Sequence, residues 1–287
     1  MQAIKNILLP GTRNRPMALD IFFNDHRYRK PVVVYVHGFN GFKDWGNFDI
    51  IASKFANEGY VLVKFNFSHN GTTPAQPEDF TDLEAFGNNN YTKQLDDLRL
   101  IINWVCQPLN PYRQAIDSNH ICLVGHSMGG GIAILQAAED SRVTKLITWA
   151  GISECTTPWG NWPPDKMQEW KQLGVQYYTN GRTHQQMPLY YQLYEDYIQN
   201  TNRLNIKKAI KSLAIPILVC HGTMDEAVPV EKAGELKEWQ PSAQIFTVES
   251  DHVFGRKHPW TTDDLPPAMQ AVVEASLRFL KSGNADN

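Results

Sequence analysis

Ile121-Cys122-Leu123-Val124-Gly125-His126-Ser127-Met128-Gly129-Gly130-Gly131 is the stretch on which the reading of this chain turns. A short apolar run enters Gly-x-Ser-x-Gly, and a helix-forming segment, Met128–Ala138, follows without a break. A serine on so sharp a strand-to-helix turn takes strained backbone angles. The residues two before and two after it must then be glycine, to clear the neighbouring strand and helix. Gly125 and Gly129 meet that need. The turn pushes the Ser127 hydroxyl out at the carboxyl end of a sheet, where the helix N-terminus aims unpaired amides and the positive end of its dipole. The competing reading, a glycine-rich turn with an incidental serine, leaves both flanks unexplained.

Outward from this point, short β-branched runs alternate with longer segments of helical period, the pattern of βαβ units around a mostly parallel sheet covered on both faces. Strands are expected at Ala18–Phe23, Val32–Val36, Val61–Phe67, Ile121–Val124, Lys145–Trp149, Ile217–Cys220 and Gln244–Val248. Helices are expected at Phe48–Asn57, Tyr91–Cys106, Met128–Ala138, Val230–Trp239 and Pro267–Leu280. Leu95, Leu98, Ile102 and Val105 make one apolar stripe, and Met269, Val273 and Leu277 another. Two stretches break the rhythm. The polar Ser68–Asn90 segment is too long for an idle connection and is read as bordering a site. Residues 152–213 are read as an inserted cap between two parts of one core, residues 1–151 and 214–287. Within the cap, Asn180-Gly181 signals a hairpin. Leu189, Leu193 and Tyr197, with Tyr190, Tyr194 and Ile198, predict a helix with one aromatic face.

Serine is a poor nucleophile at neutral pH and needs a histidine base and an acid to orient it. Both lie downstream. Strand Ile217–Cys220 opens into His221-Gly222-Thr223-Met224-Asp225-Glu226-Ala227-Val228-Pro229, and strand Gln244–Val248 into Glu249-Ser250-Asp251-His252-Val253-Phe254-Gly255. The order Ser127, Asp225, His252 is one of three chain orders that build the same geometry. Glu226 and Asp251 are the competing acids. Neighbours in extended backbone point to opposite sides, so Asp251 is a poor partner for His252 and a better loop cap. Among the other histidines, His26 and His120 read as surface residues, His184 as a cap residue, His258 as a loop residue and His126 as packing at the turn. His37 and His221 each precede glycine at a strand end and are read as bonding loop backbone.

These three segments resemble those of the α/β-hydrolase superfamily over essentially the whole chain apart from the cap. The His37–Gly41 stretch HGFNG, the position of the cap and the SDHVFG loop narrow the resemblance to dienelactone-hydrolase-like and cinnamoyl-esterase-like serine carboxylesterases. Dienelactone hydrolases proper carry cysteine where this chain has Ser127, so their lactone specificity is not implied. The resemblance places Asp225 at the acid position and the amide of Phe39 at one oxyanion donor, with the amide of Met128 as the other. A HGF loop in place of HGGG implies esters of unhindered alcohols.

The 27 Lys and Arg of the 287 residues stand against 30 Asp and Glu, a net charge of −3 without a basic block, which argues against a nucleic-acid partner. No apolar run approaches the roughly 20 residues that span a bilayer. The first residues lack the apolar stretch of a secretory signal, so a cytoplasmic location is expected. Cys106, Cys122, Cys155 and Cys220 form no CxxC pair and read as free thiols. With no GxGxxG after a strand, no GxxxxGK[ST], no HExxH and no SxxK, no metal and no cofactor is expected. The expected activity is hydrolysis of a small-molecule carboxylic ester through an acyl-enzyme. An amide hydrolase is the alternative, its substrate ammonium held by Glu154, Glu169, Glu195 or Asp196. A thioesterase and a non-catalytic binding protein on the same fold are further alternatives. Some of the cap tyrosines and tryptophans are read as lining the acyl pocket.

Overall fold

The computed structural model describes residues 1–24 and 28–282; His26 lies outside the described residues. Along the chain run β1 (Gln2–Pro10), β2 (Pro16–Phe23), β3 (Lys30–Val36), α1 (Phe48–Asn57), β4 (Val61–Phe65), α2 (Leu83–Gly87), α3 (Tyr91–Cys106), β5 (Ile116–His126), α4 (Met128–Glu139) and β6 (Val143–Trp149). Then come α5 (Pro164–Leu173), β7 (Val175–Thr179), β8 (Gln186–Tyr190), α6 (Gln192–Gln199), α7 (Ile206–Ser212), β9 (Ile217–Gly222), α8 (Glu231–Trp239), β10 (Gln244–Val248) and α9 (Pro267–Lys281).

Eight strands form one sheet in the order β1-β2-β4-β3-β5-β6-β9-β10. β1–β2 and β2–β4 are antiparallel, and every other pairing is parallel. The central strands read as unbroken apolar runs because both faces are covered. Alternate side chains of β3 enter different cores: Val32, Val34 and Val36 pack with α3, α4, α7 and α8, whereas Val33 and Tyr35 pack with α1 and α9. Each fully buried valine or leucine contributes about 1.5–3 kcal/mol.

Chain order reverses at the middle of the sheet. After β3 the chain moves outward to β4, then returns across β3 to place β5 on its other side, with Val36 beside Gly125. The loops leaving the carboxyl ends of β3 and β5 therefore part company and open a crevice, the ligand position for open α/β sheets.

The structure adds one strand to the sequence reading, shifts one helix and keeps the hairpin. β1 is missing from the sequence reading because most of its side chains are exposed at the sheet edge, so no apolar period marks it. The helix expected from Leu189 begins later, at Gln192, because Leu189 and Tyr190 are held in a ladder with Gln176 and Val175. Asn180-Gly181 lies in the loop joining β7 to β8. The Ser68–Asn90 segment contains α2, capped by Asp82, whose side chain accepts from the Ala85 amide.

Candidate active site

Ser127 sits between β5 and α4 at φ 56°, ψ −123°. A left-handed conformation costs a serine about 1–3 kcal/mol, so the surroundings must impose it. Its amide donates to the Trp149 carbonyl at 2.9 Å, and its carbonyl accepts from Gly130 and Ile152 at 2.9 and 3.2 Å. A Cβ on Gly125 would stand 2.2 Å from the Gly129 carbonyl oxygen, and one on Gly129 would stand 2.3 Å from that of Val36. The turn closes only with glycine at both places.

Asp225 follows β9 and is buried. Its Oδ1 accepts from the amides of Ala227 and Val228 at 2.9 and 2.8 Å. Its Oδ2 accepts from His252 Nδ1 at 2.8 Å and lies 3.3 Å from His221 Nε2, which also donates to the Val228 carbonyl. Burial pushes the carboxyl upward, but the hydrogen bonds from His221 and His252 outweigh it, and the group is held below the usual carboxylate range. His252 and the Ser127 hydroxyl line one cavity, with no hydrogen bond between them among the described residues. Such bonds are commonly long until substrate is seated. Asp251 instead accepts from the Gly255 amide, capping the histidine loop, and Glu226 is exposed.

Two histidines do more than sequence reasoning assigned. His126 Nε2 donates to the His252 backbone carbonyl at 2.9 Å, and the two rings lie 4.9 Å apart. Burial, reinforced by the charges of His252 and Arg256, drives His126 well below the usual histidine value, so it is a neutral strut under the histidine loop. His221 braces Asp225 as well as the loop backbone. A histidine beside the serine and another four residues before the acid are the only sequence signals for either role.

The turn after β3 supplies the other wall. His37 is buried and neutral, its pKa lowered by burial to about 4. Its Nδ1 donates to the Gly38 carbonyl at 2.9 Å, and its Nε2 accepts from the Phe67 amide at 3.3 Å. Gly41 donates to the same Gly38 carbonyl at 3.0 Å. In a trans peptide the N–H points opposite the C=O, so the pull on the Gly38 carbonyl turns the Phe39 amide away from His37. Among the described residues, neither that amide nor the amide of Met128 donates to another group. Gly38 is where backbone meets serine: a Cβ there would lie 2.9 Å from Ser127 Cβ.

The cavity measures about 160 Å³. Tyr35, Phe39, Phe42, Trp45 and Phe48 form its aromatic wall. Behind it the buried Arg256 guanidinium lies 5.4 and 4.9 Å from the rings of Trp45 and Phe48. Among the described residues no cap aromatic lines this cavity. The expectation that some would is corrected by where they go: Trp170 is fully buried and packs with Trp159, Trp162, Tyr191 and Tyr194 in the main core, where Trp159 meets Tyr91 of α3. Much of the aromatic lining comes from Phe39, Phe42, Trp45 and Phe48, side chains to which the sequence reading gave no part in the pocket.

Below the same turn, the side chains of Asp20, Asp44 and Asp49 come within 4.8 Å of one another. Two buried ammonium groups occupy the space between them. Lys43 reaches Asp20 at 2.8 Å and also Asp44, while Lys64 reaches Asp20 at 3.2 Å and also Asp44 and Asp49.

The BD-FAE family model matches residues 19–240 of this sequence. The chain belongs to the BD-FAE family. Quorum-quenching protein AidA of Acinetobacter baumannii is 27% identical over 118 residues, 41% of this chain and 34% of that protein. Putative esterase/lipase 2 of Mycoplasma genitalium is 27% identical over 115 residues, 40% of this chain and 35% of that protein. The match thus spans about a third of the length of these curated relatives. Est1E from Butyrivibrio proteoclasticus, solved with ferulic acid bound, superimposes with a TM-score of 0.66 at 16% identity, covering 96% of this chain and 97% of that one. The fold is that of the α/β hydrolases. Among the described residues no helix is long and apolar enough to cross a membrane.

Proposed function

We propose that this chain is a serine esterase cleaving a small-molecule carboxylic ester through an acyl-enzyme. Ser127 Oγ attacks the acyl carbon as His252 Nε2 takes its proton. Asp225, bonded to His252 Nδ1, keeps the other nitrogen toward the serine and balances the imidazolium that forms. The carbonyl oxygen becomes an oxyanion received by the amides of Phe39 and Met128, which need no reorientation as charge develops. Collapse breaks the bond to the alcohol oxygen, which leaves with the proton from His252. Water then gives a proton to His252 and attacks the acyl carbon, releasing the acid and restoring the serine.

The observation that carries this reading is the 2.8 Å bond between His252 and buried Asp225, placed on the cavity into which the strained Ser127 turn opens. A cavity of about 160 Å³ suits a group near the size of benzene, as apolar cavities of about 150 Å³ do. The amide-hydrolase reading has less support, since Glu154, Glu169, Glu195 and Asp196 are absent from the cavity lining among the described residues. Glu169 accepts from Gln176, and Asp196 from Thr92. In this reading residues 152–213 serve as a cap on a core of residues 1–151 and 214–287.

A fluorophosphonate probe, with its adduct mapped by mass spectrometry, is expected to label Ser127. Folded protein left unlabelled there overturns the reading. Turnover of a short-chain oxygen ester, its thioester and an aminoacyl amide, compared side by side, is expected to favour the oxygen ester.

A further inference from the structure

We propose that Tyr178, outside the cavity, is a positioning residue for the Phe39 amide, so that the β7–β8 hairpin sets the rate of acyl transfer. The proposal rests on the reading of that amide as an oxyanion donor.

Gly38-Phe39-Asn40-Gly41 is a tight turn closed by the Gly41 amide on the Gly38 carbonyl at 3.0 Å, with Asn40 at φ 57°. Among the described residues the backbone of its two middle residues makes no hydrogen bond, and the Phe39 ring rests on the core at Phe86. Tyr178 of β7 holds both. Its hydroxyl donates to Asn40 Oδ1, and its ring lies 5.6 Å from the ring of Phe39, with Phe86 closing a triangle of rings at 5.7 Å from Phe39 and 6.3 Å from Tyr178. Burial raises the Tyr178 phenol, so it remains a donor across the working pH range. From the same hairpin, Arg182 lies over the Phe42 ring at 5.7 Å, a second hold on the loop.

The hairpin is itself anchored. Arg182 pairs with Asp79, Gln185 donates to the Phe80 carbonyl at 3.0 Å, and Tyr190 donates to Glu84 at 2.5 Å. A strand pair held by these contacts thus reaches across the Ser68–Asn90 segment to the turn that carries one of the two amides. Donor position matters only when the oxyanion forms, so loosening the turn should slow the chemical step and leave substrate binding alone.

The test is Tyr178→Phe, which keeps the ring and removes the hydroxyl, with Asn40→Ala and the double variant. Each is assayed with a short-chain p-nitrophenyl ester and with an alkyl boronic acid, which forms a tetrahedral adduct on serine. Losing a whole oxyanion donor costs about 10²–10³ in kcat, and a loosened one is expected to cost about tenfold. Tyr178→Phe should therefore lower kcat about tenfold and weaken the boronic acid by a similar factor, with KM changed less than about twofold. Asn40→Ala should match it, and the double variant should be no worse than either. Unchanged kcat in Tyr178→Phe, a change confined to KM or to Tm, or effects that multiply in the double variant overturn the proposal. Ser127→Ala separates the two levels. If it stays active, the underlying reading falls and this one with it; if it is inactive while Tyr178→Phe matches the parent, only this proposal falls.

Discussion

Two buried clusters of ionisable side chains flank the turn after β3, and they are built on opposite plans. In the first, Lys43 and Lys64 sit among Asp20, Asp44 and Asp49, with Lys5 closing the outer side of Asp49. Three positive groups meet three negative ones, and every one of them ends on a partner. In the second, Asp225 is saturated by two amides and two imidazoles, yet Ser127 Oγ and His252 Nε2 make no hydrogen bond among the described residues. A closed set of charges can only hold structure. A set that is rigid at one end and open at the other can hand a proton to something that enters.

The sharpest way to break this contrast is to cut each cluster once. Ser127→Ala is expected to lower kcat/KM by about 10⁴ or more, with little change in Tm. Lys64→Met is expected to do the reverse. It removes the ammonium shared by three carboxylates and leaves Asp20 and Asp44 to share Lys43 alone, a loss of up to about 3–5 kcal/mol, while kcat per folded molecule stays within a few-fold. Activity normalised to the folded fraction, set beside a thermal melt, checks both. If Lys64→Met silenced the folded enzyme, the two clusters would not be separate.

Next in size is Asp225→Asn. It keeps the shape of the acid but offers His252 the wrong partner, and about 10³–10⁴ in kcat should disappear. Smaller again is Gly38→Ala, whose methyl would press on Ser127 Cβ at 2.9 Å and on the His126 carbonyl at 3.0 Å. A displacement near 1 Å at a reacting group can cost about 10² in rate, and that is the expected loss. Burst kinetics on a chromogenic ester reads both.

The smallest effect concerns acid stability. Burial pushes Asp44 and Asp49 upward, but the ammonium of Lys64, with Lys43 on Asp44 and Lys5 on Asp49, outweighs it, so both carboxyls are lowered. A lowered carboxyl binds fewer protons folded than unfolded. Its contribution is therefore complete above the ordinary carboxylate pKa and declines as pH falls through the folded value. Tm should drop between pH 6 and pH 3, and Lys64→Met should show a shallower drop because Asp44 and Asp49 are then held down only by Lys43 and Lys5. An unchanged slope would remove the cluster from the explanation.

The elements nearest the reaction could be read from sequence because their local demands are severe. Gly125 and Gly129 answer a steric need, and Val32–Val36, Ile121–Val124 and Ile217–Cys220 are apolar throughout because helices cover both faces. What escaped detection depends on distant partners. Lys43 and Lys64 look like ordinary surface lysines, since nothing local says that Asp20 will lie across from both. His126 and His221 resemble any histidine next to glycine or serine until their loops converge. The aromatics of residues 39–48 and those of residues 152–213 are alike in composition, and only the path of the chain sends the first group to the cavity and most of the second to the core beside α3.

The adjacency of Val36 and Gly125 carries a consequence for how the chain becomes competent. The two walls of the candidate site come from strands that touch in space but are separated by an entire crossover in sequence, and non-local parallel pairing of this kind is slow to form. A partly collapsed chain with every helix in place but β5 undocked has no such site at all. Regained ester turnover during renaturation would then time the closure of the middle of the sheet, long after far-ultraviolet signals had levelled off.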